Sequence, residues 1–65
     1  MAKYFGEKKF LHHRGMVYVE EYATTWRVSA KRHGHAYPCV WDLRYKKTQF
    51  KTAKEVAQYV GDKEL

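Results

Sequence analysis

The sequence predicts an α+β fold, a three-stranded antiparallel β-sheet packed against one C-terminal α-helix, and three observations carry that expectation. Residues 16–31 alternate apolar and polar in two runs broken only at Ala23-Thr24, which is the period of half-buried strands joined by a tight connection. A third alternating run covers Tyr37 to Tyr45. Beyond it, Thr52-Ala53-Lys54-Glu55 has the form of a capping box, and an apolar stripe at helical spacing follows. With 65 residues the chain makes one domain, 1–65. A domain of this size buries only about 60 % of its unfolded surface. That leaves no room for a deep cavity with a catalytic apparatus, so neither an enzyme nor a small-molecule substrate is expected.

The elements follow in order. Residues 1–15 hold Lys3, Lys8, Lys9 and Arg14 against Glu7, with Tyr4, Phe5, Phe10 and Leu11 as the apolar anchors, and read as a basic N-terminal arm or an edge strand. The βββα core spans residues 16–61. In its first strand Val17 and Val19 oppose Met16, Tyr18, Glu20 and Tyr22; in its second, Trp26, Val28 and Ala30 oppose Arg27, Ser29 and Lys31. Arg32-His33-Gly34-His35 reverses the chain. In the third strand Tyr37, Cys39, Trp41, Leu43 and Tyr45 oppose Pro38, Val40, Asp42 and Arg44. Pro38 cannot donate to a ladder and belongs at the strand's start or on an edge. Trp26 and Trp41 are both assigned to the core.

The helix starts at Thr52. Ala53, Val56, Ala57 and Val60 form its apolar stripe, and Gly61 suits the left-handed C′ position that would end it. About nine residues do not hold a helix alone in water, so the stripe must lie on Val17, Val19, Trp26, Val28 and Leu43. The opposite sheet face then presents Tyr18, Tyr22, Arg27, Ser29 and Lys31. The third strand adds either Arg44 with Asp42 and Val40 or, in the other register, Trp41 and Tyr45.

The formal charge of +6 is unevenly spread: residues 1–15 sum to +3, 16–30 to −1, 31–50 to +4 and 51–65 to zero. Arg44, Lys46, Lys47, Lys51 and Lys54 follow one another with no intervening acid, on the approach to a helix N-terminus whose free amides favour anions. The single Cys39 excludes an intramolecular disulfide and suits a reducing, cytoplasmic setting. No apolar run approaches the roughly 20 residues of a membrane span, so no membrane partner is expected. His12-His13, His33-x-His35 and Cys39 lack the paired spacing of structural zinc ligands; turn or surface histidines, an inert thiol, no metal and no cofactor are the expectation.

The run Phe50-Lys51-Thr52-Ala53-Lys54-Glu55-Val56-Ala57, with Trp26-Arg27-Val28 before it and Tyr59 after it, resembles the Phe-x-Thr-x-x-Glu-Ala signature of two related families. These are the AP2-type DNA-binding domain and the arm-binding domain of tyrosine recombinases. Gln49 stands where those families commonly carry Gly. The resemblance covers roughly Gly15 to Val60 and implies a three-stranded sheet that reads DNA from the major groove. It places Phe50, Val56 and Ala57 in the core, Thr52 at the cap, and Arg27, Ser29, Lys31 and Arg44 as groove contacts.

The function these residues point to is a small basic nucleic-acid-binding module, with duplex DNA the favoured partner. Arg14, Lys46, Lys47 and Lys51 would contact phosphates, and Arg27, Ser29, Lys31 and Arg44 would reach base edges. Tyr18 and Tyr22 would stack on bases or serve an interface. The alternative is a small phage- or mobile-element-type protein that binds and inhibits or redirects a host protein, since an Arg/Tyr/Trp-rich face is also interface composition. The discriminator is whether Arg27, Lys31 and Arg44 make one positive stripe or are interrupted by Glu20, Glu21 and Asp42.

Overall fold

A computed structural model describes residues 3–65. The sheet has four antiparallel strands in meander order: β1 (Tyr4–His12), β2 (Gly15–Tyr22), β3 (Thr25–Arg32) and β4 (Val40–Lys46), followed by α1 (Ala53–Lys63). The expected α+β class and single C-terminal helix are present, and the N-terminal segment is a full nine-residue edge strand. No helix of the described residues is long and apolar enough to cross a membrane.

Register follows from the alternation. Val17 pairs with Ala30 and Val19 with Val28, so the apolar sets of β2 and β3 share one face. Phe10 pairs with Val17 on one side of them, and Leu43 pairs with Val28 on the other. Helix α1 lies on this face: Val17, Val19, Trp26, Val28 and Ala30 are buried together with Ala53, Val56, Ala57, Val60 and Leu65, and Phe10, Cys39, Val40, Leu43, Tyr45 and Phe50 pack around them. Trp26 also satisfies its indole, donating Nε1–H to the Phe50 carbonyl at 3.0 Å.

The helix begins as the capping residues require. Thr52 is the N-cap, and its Oγ1 accepts the Glu55 amide at 3.2 Å. The return half of the box differs, because the Thr52 hydroxyl donates to the Glu55 carboxylate at 3.4 Å. At its other end the helix runs on to Lys63 with Glu64 as C-cap, so Gly61 is an interior, buried residue and not the C′ terminator. Glycine there serves the close approach of His12. Its ring occupies the space a Gly61 side chain would need.

Both outer strands carry a register shift, at Tyr4/Gly6 in β1 and opposite Val28/Ala30 in β4. Gly6 has φ +124°, open to glycine alone, and Asp42 is the one non-glycine residue of positive φ among those described, at 56°. The β4 bulge corrects the expected phase of that strand. Val40, paired with Ala30, joins Leu43 and Tyr45 on the helix side, while Trp41 is 69 % exposed and is not a core residue. The strand begins at Val40, which leaves Tyr37, Pro38 and Cys39 in the connection from β3.

Candidate nucleic-acid interface

The face opposite α1 is uncovered and reads as four cross-strand rows. Leu11, Met16 and Lys31 form the first, and Lys9, Tyr18 and Ser29 the second. Glu7, Glu20, Arg27 and Arg44 form the third; Tyr4 beside Tyr22, and Thr25 beside Lys46, complete the fourth. Of the residues expected at the interface, Arg27, Ser29, Lys31, Arg44, Lys46, Tyr18 and Tyr22 share this face. The alternation of β2 and β3 puts them there, and the β3–β4 pairing adds the rest.

Three of the expected residues lie elsewhere. Arg14, in the β1–β2 turn, donates Nη1–H to the Asp62 carbonyl at 2.9 Å, which ties the turn to the C-terminal end of the helix. Lys47 donates to Glu21 at 2.5 Å and stands 4.6 Å from the Trp26 ring centroid and 5.4 Å from that of Phe5. It closes the core side of the sheet. Lys51 is exposed in the connection to α1, beside the N-cap. Glu7 and Lys9 join these rows from β1, the segment the sequence reads as an arm or an edge strand, where the doublets Lys8-Lys9 and His12-His13 blur the period of two.

The acids divide between the two faces. Glu21 lies on the helix side and is taken by Lys47. Glu20 stays on the open face beside Arg27 and accepts the Tyr22 hydroxyl at 3.2 Å. Asp42 is shared: its Oδ1 accepts the Arg44 Nε–H at 3.3 Å and forms an ion pair with Arg27 Nε at 2.8 Å. Arg27, Arg44 and Lys31 therefore do not form one uninterrupted stripe. Both guanidiniums are nevertheless held through Nε, which leaves the terminal amino groups of each fork free for another acceptor. The Tyr22 hydroxyl first, and Asp42 second, raise the pKa of Arg27 above its ordinary value. Tyr22, Thr25, Arg27 and Arg44 line a shallow depression of about 220 Å³.

Three further polar groups, His12, His33 and Cys39, hold the fold together. His12, expected at the surface, is 6 % exposed: Arg14 N–H donates to its Nδ1 at 3.1 Å, and its Nε2–H donates to Asp62 Oδ1 at 2.8 Å. His33 is exposed in the turn, with Nε2 donating to the His12 carbonyl at 3.1 Å. The half-buried Cys39 thiol accepts the Arg32 amide at 3.5 Å. Among the described residues no group of three or more His, Cys, Asp or Glu is placed to hold a metal ion. No protein-family model matches the chain, and neither a curated protein nor a solved structure does.

Proposed function

We propose that the chain is a small nucleic-acid-binding module that works through the open face of its sheet, with duplex DNA the favoured partner. One observation carries the reading. The uncovered face sets Lys9, Arg27, Lys31, Arg44 and Lys46 among Tyr4, Tyr18 and Tyr22, five cations against the three carboxylates of Glu7, Glu20 and Asp42. A twisted sheet bearing cations and aromatics is a shape that enters a major groove or stacks unpaired bases. Entry of the sheet into a groove is also the mode that the resemblance of the Phe50–Ala57 run implies.

The test is fluorescence anisotropy with a short labelled duplex and the matching single strand. Affinity is expected to fall steeply between about 50 and 200 mM salt, because each neutralised phosphate releases counterions. A flat response to salt, or no binding to either strand form, overturns the reading.

A second reading, docking on a host protein as a phage- or mobile-element-type inhibitor or adaptor, is favoured by a separate observation. Leu11 is 77 % exposed, Trp41 69 % and Tyr37 81 %, apolar surface that a phosphate backbone does not require. A protein that co-purifies after nuclease treatment, and is lost from Leu11→Glu and Trp41→Ala variants, would support it. Co-purification that nuclease abolishes would reject it.

A further inference from the structure

The geometry points to a seat for one phosphodiester group in the depression between Tyr22, Thr25, Arg27 and Arg44, with Asp42 as the residue that positions both arginines. The inference rests on the nucleic-acid reading and adds where on the face a backbone phosphate sits. Four features build it.

Arg27 and Arg44 are direct cross-strand partners, an arrangement that sets like charges side by side and is unfavourable unless something joins them. Asp42 joins them, through a single oxygen that accepts the Arg44 Nε–H and pairs ionically with Arg27 Nε. The carboxylate reaches that point because β4 bulges there and Asp42 adopts φ 56°, a left-handed conformation that Asp tolerates better than most residues. Bulges of this kind re-aim a side chain, and backbone held in a sparsely populated region is a feature of built sites.

The charge count then selects the ligand. Two guanidiniums clamped to one carboxylate leave a single positive charge, and each fork still presents unused N–H donors. Neither Asp42 nor Glu20 lines the depression, and Glu20 is engaged by the Tyr22 hydroxyl. Thr25, a residue with a hydroxyl donor, also lines the depression. A singly charged tetrahedral oxyanion with acceptors on every side answers these donors. The phosphodiester of a nucleic-acid strand has that charge and shape.

The experiment records amide and arginine Nε–H resonances during titration with dimethyl phosphate, against sodium chloride at equal ionic strength, and measures duplex affinity in parallel. Two double variants are compared, Arg27→Gln/Arg44→Gln and Lys9→Gln/Lys31→Gln, which remove equal charge from the same face. Dimethyl phosphate is expected to shift Tyr22, Thr25, Arg27 and Arg44 in the wild type and in the lysine variant, and to shift neither Tyr22 nor Thr25 in the arginine variant. The arginine variant should also lose roughly 0.9 from the salt slope of duplex binding, the contribution of one phosphate. Asp42→Gly keeps the left-handed backbone but removes the clamp, and should weaken the dimethyl phosphate response although it makes the face more positive.

Equal losses in the two double variants, with no localised shifts, would overturn the seat and leave the nucleic-acid reading standing. Localised shifts from dimethyl phosphate, without binding to any oligonucleotide, would uphold the seat and overturn that reading. Binding to phosphatidylglycerol vesicles but not to oligonucleotides would overturn the assignment to a nucleic-acid strand.

Discussion

The ring of His12 rests directly against Gly61, so that the third residue from the end of helix α1 must lack a side chain for strand β1 to dock. Gly61→Ala sets two effects in opposition. Replacing glycine inside a helix gains about 1 kcal/mol in propensity, whereas forcing a methyl into a filled site costs typically 1–3 kcal/mol. The added Cβ would overlap several ring atoms, so the second effect should win. Urea denaturation is expected to show a net loss of roughly 1 kcal/mol or more. A variant more stable than the wild type would show that the ring yields freely.

Asp62 links the same ring to acid stability. Hydrogen bonds from Gln58 first and His12 second hold its carboxyl below the ordinary carboxylate range. Because the folded pKa lies below the unfolded value, the contribution is fully present above the unfolded pKa of about 3.9 and is lost as pH falls through the folded pKa. Thermal melts should therefore show wild-type protein losing stability over Asp62→Asn only below about pH 4. A difference between the two that stayed constant down to pH 2.5 would contradict this link.

The two tryptophans should behave as opposites. Trp26 is 3 % exposed and donates to Phe50, so Trp26→Ala is expected to cost about 3–5 kcal/mol and to leave little folded protein in so small a domain. Trp41 is 69 % exposed, and Trp41→Ala should stay within about 0.5 kcal/mol of the wild type. Chemical denaturation followed by circular dichroism, which does not depend on the lost fluorophore, reads both.

Thr52→Ala isolates the helix cap from the proposed binding face. Loss of the Glu55 amide acceptor should cost about 1 kcal/mol. Duplex affinity in the folded variant should be unchanged, since Thr52 lies on the helix side of the sheet. A parallel fall in affinity would move the interface to the helix layer.

Much of this molecule can be read from residues that alternate without interruption. Val17, Val19, Trp26, Val28 and Ala30 define the buried face of β2 and β3, and Tyr18, Arg27, Ser29 and Lys31 follow as the exposed one. Thr52 with the stripe from Ala53 to Val60 locates the helix. What resisted reading has identifiable causes. Doublets blur the period of β1, which the sequence therefore reads as either an arm or an edge strand. A single extra residue at the Asp42 bulge moves Val40 inward and Trp41 outward, and periodicity cannot register an insertion of one. Arg14, Lys47 and His12 look like surface charges in the sequence, yet their partners Asp62, Glu21 and Gly61 lie 26 to 49 positions away, and only the tertiary arrangement brings them together.

The irregularities in β1 and β4 also govern how copies of the molecule meet. A meander ends in two strands with unsatisfied backbone groups, and a straight run of such groups invites another chain to add on and continue the ladder. Here one border is broken at Gly6 and studded with Lys8 and Lys9, and the other is bent at Asp42. Neither offers an unbroken template, so fibre growth by edge-to-edge strand addition is discouraged while the broad face stays clear.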